Sequence, residues 1–285
     1  MNPAGELVAI DDTSLFVVER GTGHPIIVLH GGPGLDHHEF ADYLDPLTDA
    51  FKLLLVDQRA NGRSLRSPEE TWTLERMAQD VIMLARALGL DRYAVLGHSY
   101  GAFVALQNAV DYPGMAAQTI VSGGVPSMKY LEAVEANLNA FEPIELREKV
   151  MASWAGERSV QTQEGLATLM HDQWPFHFAD PLDPRIVEYE RRMEGAVYAP
   201  DVLRKFSAEG CGGIEVEDQL ADITQPVLVM TGRLDRVCTV EAAEAIAEGI
   251  PNAQLEIFEQ SGHMTFVEEQ DRYVDVVRDF LERTA

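Results

Sequence analysis

The chain has 285 residues, of which 46% are hydrophobic and 24% charged, enough for one large globular domain with an inserted subdomain. Its 47 acidic residues outnumber 22 basic ones, and the resulting net charge of -25 repels phosphate backbones and anionic membranes. We therefore expect no nucleic-acid or membrane partner. The acidic surface favours solubility, and the alternative is that it attracts cationic substrates such as free amines.

Several features indicate the cellular setting. The two cysteines, Cys211 and Cys238, have neither CxxC nor metal-ligand spacing, so we expect free thiols. The first residues carry no basic segment followed by an apolar run, and no apolar run approaches the roughly 20 residues of a membrane span. We expect a soluble cytoplasmic protein, and the pattern leaves its oligomeric state open.

Strands and helices are predicted to alternate in the first and last parts of the chain. In chain order, the predicted elements are strands within 5–30, most clearly at 14–20 and 26–29, a helix at 38–48, a strand at 52–57, a helix at 74–89, a strand at 92–97, a helix at 99–112 and a strand at 118–122. After a strand-free helical stretch at 125–215, the alternation returns with a strand at 226–231, a helix at 240–249, a strand at 254–258 and a helix at 267–283.

This alternation predicts an α/β fold, a mostly parallel sheet with helices on both faces. The helical stretch predicts an inserted cap, residues 124–221, between two parts of one core, residues 1–123 and 222–285. Ligands of open α/β sheets bind outside the carboxyl ends of the strands, so we expect the cap to cover the functional site.

Gly97-His98-Ser99-Tyr100-Gly101 is the most informative motif. A G-x-S-x-G pattern alone is weak, but here it follows a predicted strand and opens a predicted helix, as a nucleophile elbow requires. Small neighbours allow the strained backbone that projects the serine hydroxyl above the sheet. The alternative is that Ser99 only caps the helix.

Activation of a serine hydroxyl requires a base, and the base requires an orienting carboxylate. Asp235 and His263 each follow a predicted strand, in the order Ser, Asp, His that is expected for this arrangement. We predict that Ser99 attacks a carbonyl, that His263 takes its proton, and that Asp235 holds the imidazole. The alternatives are a helix cap for Asp235 and an ordinary loop position for His263.

The adjacent His37 and His38 are the pattern that could suggest a metal ion. Because we find no cysteine or carboxylate at ligand spacing, we expect a solvated loop here, and no metal or cofactor.

His30-Gly31-Gly32-Pro33-Gly34 follows the predicted strand at 26–29. Consecutive glycines allow backbone N–H groups to approach an oxyanion, so we predict the N–H groups of Gly32 and Tyr100 as donors. The alternative is a tight glycine turn, and the lack of a following Lys-Ser or Lys-Thr excludes a Walker A loop.

Five motifs together resemble those of the proline iminopeptidases: HGGPG (30–34), DQRANGRS (57–64), GHSYG (97–101), GRLD (232–235) and SGHM (261–264). The resemblance covers about residues 10–123 and 222–283 and implies an α/β-hydrolase fold with an eight-stranded sheet and a helical cap. It also implies removal of an N-terminal residue, often proline, from a peptide without a cofactor. Members usually have glycine at the position of Ala60. Some members have a glutamate at the position of Arg236, where its carboxylate binds the substrate amine. Arginine at this position would repel an ammonium if it pointed inward.

For the substrate, the leading hypothesis is a small or short-peptide molecule with a free N-terminus. Gly31, Trp174, Phe176 and Glu209 are the candidate substrate contacts, although the aromatic pair could equally form the core of the cap. A carboxylesterase or lactonase with the same triad is the alternative. A non-catalytic binding protein on the same scaffold is a remote third.

Overall fold

The computed structural model describes residues 5–208 and 212–284, and these form one eight-stranded sheet with helices on both faces. The strands are β1 (Glu6–Ile10), β2 (Thr13–Gly21), β3 (His24–Leu29), β4 (Phe51–Asp57), β5 (Ala94–His98), β6 (Gln118–Ser122), β7 (Val227–Gly232) and β8 (Ala253–Phe258).

The strand order is β1-β2-β4-β3-β5-β6-β7-β8. Only β2 runs against its neighbours, pairing antiparallel with β1 and β4, and the pairs from β4 to β8 are all parallel. The carboxyl ends of β3, β5, β7 and β8 therefore lie at one edge of the sheet. The HGGPG, GHSYG, GRLD and SGHM motifs lie at this edge. The predicted fold class is confirmed.

The central strands are buried along their whole length because helices cover both faces, and their composition follows from this. The segment AVLGH of β5 and the segment QTIVS of β6 are buried at every residue. The strands thus form a rigid platform for the loops at their carboxyl ends.

Ten α-helices lie within the described residues: α1 (Leu74–Ala87), α2 (Tyr100–Asp111), α3 (Ala133–Asn139), α4 (Ile144–Gly156), α5 (Gln163–His177), α6 (Arg185–Arg192), α7 (Pro200–Ala208), α8 (Val240–Gly249), α9 (Thr265–Glu268) and α10 (Gln270–Arg283). None of these helices has the length and apolar character needed to cross a bilayer.

The helix predicted at 38–48 is wrong. The structure has two 3₁₀ turns there, His37–Phe40 and Asp45–Asp49. Between them, Ala41 adopts a φ of 44°, which a continuous α-helix does not contain. The break leaves Glu39 within a single short turn.

Helices α3 to α7 form one insertion between β6 and β7. The apolar side chains of this helical insertion pack with those of the sheet: Phe206 shares one cluster with Val95 of β5, and Trp174 shares another with Leu96 of the same strand. It is therefore fixed to the sheet on the side where the strands end. The boundaries at 124 and 221 stay a prediction.

Candidate active site

Ser99 occupies the turn between β5 and α2 with φ 54° and ψ −120°, a conformation that non-glycine residues rarely adopt. The turn is tight, because a Cβ on Gly97 would overlap the backbone of Gly101, and one on Gly101 would overlap the backbone of Leu29. The Ser99 N–H donates to the carbonyl of Ser122 on β6 at 2.9 Å. The glycines of the motif thus permit the strained turn that exposes the serine at the sheet edge.

Asp235 and His263 lie on the loops after β7 and β8 and contact each other. Nδ1 of His263 is 2.7 Å from Oδ2 of Asp235, and Oδ1 of Asp235 accepts the N–H groups of Val237 and Cys238 at 2.8 and 2.9 Å. Burial alone would lower the pKa of His263, but the Asp235 carboxylate beside it raises that pKa above its usual value. The contact fixes the tautomer that leaves Nε2 free to accept a proton.

Ser99 and His263 line one cavity of about 260 Å³. Nε2 of His263 is buried and has no hydrogen-bond partner within the described residues. Mainly apolar side chains form the rest of the wall: Leu35, Phe103, Met128, Leu131, Val134, Trp154, Met170, Trp174, Leu203, Val237 and Met264. Both the core loops and the helical insertion contribute to this list, so the cavity lies between them.

The loop after β3 forms another part of the wall. Gly32 lines the cavity, and its N–H donates to no protein atom within the described residues. Nδ1 of His30 donates to the Gly31 carbonyl at 2.8 Å, while Nε2 of His30 accepts the Gln58 N–H at 3.1 Å. His30 thereby fixes the peptide between Gly31 and Gly32, which contains the Gly32 N–H. Tyr100 lines the same wall, directly after Ser99.

Gly31 lies between two side chains. Its N–H donates to Oε2 of Glu39 at 2.5 Å, and a Cβ at Gly31 would lie 2.7 Å from Oε1 of Glu39 and 2.9 Å from Cβ of Ser99. Any side chain at this position would force Glu39 or Ser99 to shift. The Gly31 N–H is therefore engaged by Glu39 and is not directed at the cavity.

Glu157 is the second carboxyl group of the cavity, and it comes from the end of α4. Its oxygens accept from Nε2 of Gln173 at 2.8 Å and from Oγ of Ser207 at 2.9 Å. Burial raises its pKa, and these two hydrogen bonds oppose the shift. Three helices of the insertion thus hold one carboxyl at the cavity wall.

The structure separates the other predicted substrate contacts. Trp174 lines the cavity, whereas Phe176 is 0% exposed and packs edge-on against Phe141 and Trp154 in the core. The alternative of a core aromatic therefore describes Phe176. Glu209 lies outside the described residues.

Arg236 does not point into the cavity. Its guanidinium donates to the backbone carbonyls of Phe176, Phe178 and Ala179 at 3.2, 2.6 and 2.9 Å. The cation next to Asp235 is therefore used to bind the end of α5, where helix carbonyls lack partners.

The solvated loop expected at His37 and His38 is wrong. His37 is buried and its Nδ1 lies 2.6 Å from Asp57, while Nδ1 of His38 lies 3.1 Å from Asp36. Ligand atoms of Asp36, His37 and His38 come within 4.8 Å of one another, so a carboxylate does lie at ligand distance. Arg63 also pairs with Asp36 at 2.9 Å, so the Asp36 carboxylate already has an arginine and a histidine as partners.

Within the described residues, five polar residues of the cavity were not among the predicted site residues: Glu39, Glu157, Gln173, His177 and Ser207. The last four come from the helical insertion, where helical periodicity does not identify which polar side chains face a ligand. Glu39 follows the HGGPG motif by five residues, and its place in that segment was the available signal.

Comparison with known proteins agrees with this architecture. A family model described as alpha/beta hydrolase fold matches residues 24–270. The chain is 31% identical over 273 residues to a proline iminopeptidase of Clostridium botulinum, covering 92% of this chain and 91% of that one. A solved proline iminopeptidase from Mycobacterium smegmatis has a TM-score of 0.75 at 25% identity and covers 99% of this chain and 98% of its own. An alpha/beta fold family hydrolase from Bacillus anthracis has a TM-score of 0.81 at 21% identity, covering 97% and 99%, and shares the fold.

The family model matches most of the chain, and the alignment with the proline iminopeptidase of Clostridium botulinum covers nearly the full length of both proteins. The chain therefore belongs to the α/β-hydrolase family, among the relatives of the proline iminopeptidases, and it is a serine hydrolase.

Proposed function

We propose that the protein is an aminopeptidase that removes the N-terminal residue from short peptides or small amides. Ser99 attacks the carbonyl of the first residue, and Nε2 of His263 takes the hydroxyl proton. Asp235 holds the imidazole and stabilises the imidazolium. The Gly32 and Tyr100 N–H groups bind the oxyanion as the tetrahedral intermediate forms.

His263 then donates its proton to the leaving amine, and an acyl-enzyme at Ser99 remains. Water enters, His263 takes a proton from it, and attack on the ester carbonyl forms a second tetrahedral intermediate. Collapse of this intermediate releases the free amino acid and returns the proton to Ser99. We also propose residues 124–221 as the cap that encloses these steps.

One observation carries the choice of substrate class. The cavity wall contains the carboxyl groups of Glu39 and Glu157, and no lysine or arginine lines it within the described residues. A carboxylate in a largely apolar cavity is costly unless a positive charge offsets it. A substrate ammonium supplies that charge, whereas an ester of a simple carboxylic acid does not.

The rest of the wall suits a small apolar first residue. Trp154 and Trp174 contribute aromatic faces, and Met128, Met170 and Met264 contribute adaptable thioethers. Such a wall can hold a proline ring or an unbranched side chain by apolar contact. The curated relative from Clostridium botulinum, named a proline iminopeptidase, supports proline as the first residue to test.

The test compares kcat/KM for proline and alanine p-nitroanilides, their N-acetylated forms and short p-nitrophenyl esters. We expect anilide hydrolysis that is lost on N-acetylation and absent in Ser99→Ala. Turnover of esters without turnover of any free-amine anilide would contradict the aminopeptidase and assign an esterase or lactonase. If neither class is turned over in a Ser99-dependent way, the proposed reaction is wrong.

A further inference from the structure

Glu39 is 3% exposed and lies in the cavity wall, within the 3₁₀ turn His37–Phe40. Its Oε2 accepts the Gly31 N–H. A Cβ added at Gly31 would contact both Oε1 of Glu39 and Cβ of Ser99, so the carboxyl group and Ser99 lie on either side of Gly31. The proposed mechanism assigns no step to it. This carboxyl group is enclosed beside the proposed nucleophile, and it binds the loop that carries a proposed oxyanion donor. It is therefore placed to affect the reaction.

The turn that holds Glu39 is itself anchored. The Asp36 carboxylate caps the turn by accepting the His38 N–H at 2.9 Å, and it also accepts the Val197 N–H of the helical insertion at 2.8 Å. Arg63 pairs with the same carboxylate. Glu39 is therefore presented to Gly31 by a fixed element and not by a mobile loop.

Charged and titratable groups face Glu39 from four elements. Asp36 lies on its own turn, His263 on the loop after β8, Tyr189 on α6 and Tyr273 on α10. Burial raises the pKa of both tyrosines, so they stay neutral, and the pKa of Asp36 is lowered to about 2, so it stays ionised. No lysine or arginine pairs with Glu39 within the described residues.

His263 is therefore the partner whose charge can change together with that of Glu39. Burial raises the pKa of Glu39 to about 7, and the Gly31 hydrogen bond and His263 oppose that shift. The His263 ring is also faced by Asp235, Glu268, His98 and His177. Both histidines stay neutral because burial lowers their pKa, which for His177 falls to about 4.

We propose that Glu39 is a positioning residue that holds Gly31 against Ser99 and whose negative charge sets the pH range in which His263 acts as a base. The proposal rests on the proposed triad. The hydrogen bond keeps the loop in place, so that the peptide fixed by His30 keeps its N–H at the cavity. The charge stabilises the imidazolium, so ionised Glu39 moves the onset of activity to higher pH.

Two substitutions separate the hydrogen bond from the charge. Glu39→Gln keeps an amide oxygen for the Gly31 N–H and removes the charge. Glu39→Leu removes both and leaves the Gly31 N–H without an acceptor. The exposed Glu282→Gln on α10 is the matched control for loss of one carboxylate.

The readout is the rate at which a small fluorophosphonate labels Ser99 between pH 4.5 and 9, with thermal unfolding measured on each variant. This probe requires the triad and the oxyanion donors but no substrate amine. We expect the acidic limb of Glu39→Gln to move to lower pH by roughly 0.5 to 1 pH unit, with Glu282→Gln like wild type. We expect Glu39→Leu to label about 10- to 100-fold more slowly at the plateau than Glu39→Gln.

An unshifted acidic limb in a folded Glu39→Gln variant would overturn the electrostatic role, and equal plateau rates for the Gln and Leu variants would overturn the positioning role. A wild-type protein that is not labelled at Ser99 would reject the triad and this role together. A protein that is labelled at Ser99 but hydrolyses no free-amine anilide rejects the substrate class and leaves the test of Glu39 intact.

Discussion

The backbone N–H of His263 donates to the backbone carbonyl of His177 over 2.7 Å, and this bond joins the loop after β8 to the end of α5. Glu268 makes the same connection with its side chain, since its carboxylate accepts the N–H groups of Gly262 and Ala179, each at 2.8 Å. The position of the proposed base is thus set jointly by the sheet and by the helical insertion.

Gly262 lies where these two parts, the sheet loop and the helical insertion, approach each other closely. A Cβ there would lie 2.5 Å from the His177 carbonyl oxygen and 2.7 Å from the Ala179 nitrogen, which are backbone atoms that cannot rotate away. We expect Gly262→Ala to cost about 1–3 kcal/mol in the free energy of unfolding. We also expect at least a 10-fold lower labelling rate of Ser99, because displacement of His263 by about 1 Å disturbs the reacting geometry.

Gly156→Ala, at the end of α4, is the control for adding one methyl group to the insertion. Its Cβ would lie 3.0 Å from Cδ2 of Leu169, the far end of a flexible side chain. We expect unfolding within about 1 kcal/mol of wild type and an unchanged labelling rate. Equal behaviour of the two variants, in urea denaturation and in labelling, would contradict the proposed coupling through Gly262.

The fold was largely predictable from the sequence because its strands and motifs are local signals. The run IIVL before HGGPG predicts a buried strand and lies inside β3. The run AVLG before the serine does the same and lies inside β5. The helix wrongly predicted at 38–48 shows the limit. Asp36 caps a short turn there by accepting the His38 N–H, and the carboxylate is held by Arg63 and Val197, which are distant in sequence.

The candidate site divides in the same way. Ser99, Asp235 and His263 follow strand ends in recognisable motifs, so it could be anticipated that their loops come together at one edge of the sheet. The carboxyl groups of Glu39 and Glu157 were not predicted as site residues, because a glutamate becomes a cavity residue only through what packs around it. Ala60 adopts a φ of 61°, a left-handed conformation that favours glycine over alanine.

Arg236 serves as a structural cation at the end of α5. We expect Arg236→Ala to cost about 2–4 kcal/mol in the free energy of unfolding, because three backbone carbonyls lose a charged donor in a half-buried place. We expect no gain in affinity for a free-amine substrate, since the guanidinium does not line the cavity.

The matched control is Arg233→Ala, which removes an exposed arginine paired with Glu259 at 2.8 Å. Exposed pairs contribute about 0–1 kcal/mol, so this variant should unfold close to wild type in urea. If Arg236→Ala unfolded like Arg233→Ala and lowered KM for a proline anilide, the cation would act on the substrate and not on the insertion.

Glu157 tests the substrate class directly. The Gln variant keeps the size of the side chain and removes the charge that we propose binds the substrate ammonium. We expect a 10- to 100-fold rise in KM for free-amine anilides, equivalent to about 1.4–2.8 kcal/mol, and little change for p-nitrophenyl esters. The exposed Glu164→Gln on α5 should leave both classes unchanged. An equal loss for anilides and esters would show that Glu157 shapes the cavity without recognising an amine.

Asp36 predicts a dependence of stability on pH. Burial opposes ionisation of this carboxyl, but the hydrogen bond and charge of His38 outweigh it and lower the pKa to about 2 from the ordinary 3.8. A carboxylate whose pKa falls on folding stabilises the protein above its unfolded pKa, and this stabilisation disappears as the pH falls through the folded pKa. The stabilisation should therefore be complete above about pH 5 and should decline between about pH 4 and pH 2.

We expect Asp36→Asn to lower the free energy of unfolding on the order of 2 kcal/mol at pH 7, the equivalent of this shift. The difference from wild type should shrink as the pH falls from 4 to 2, because the wild-type carboxyl then becomes neutral as well. Urea denaturation at a series of pH values measures it, with the exposed Asp279→Asn on α10 as the control. A difference that stays constant down to pH 2 would mean that Asp36 acts through its shape and hydrogen bonds. The attraction of its negative charge to Arg63 and His38 would then not be what holds the insertion to the turn beside the cavity.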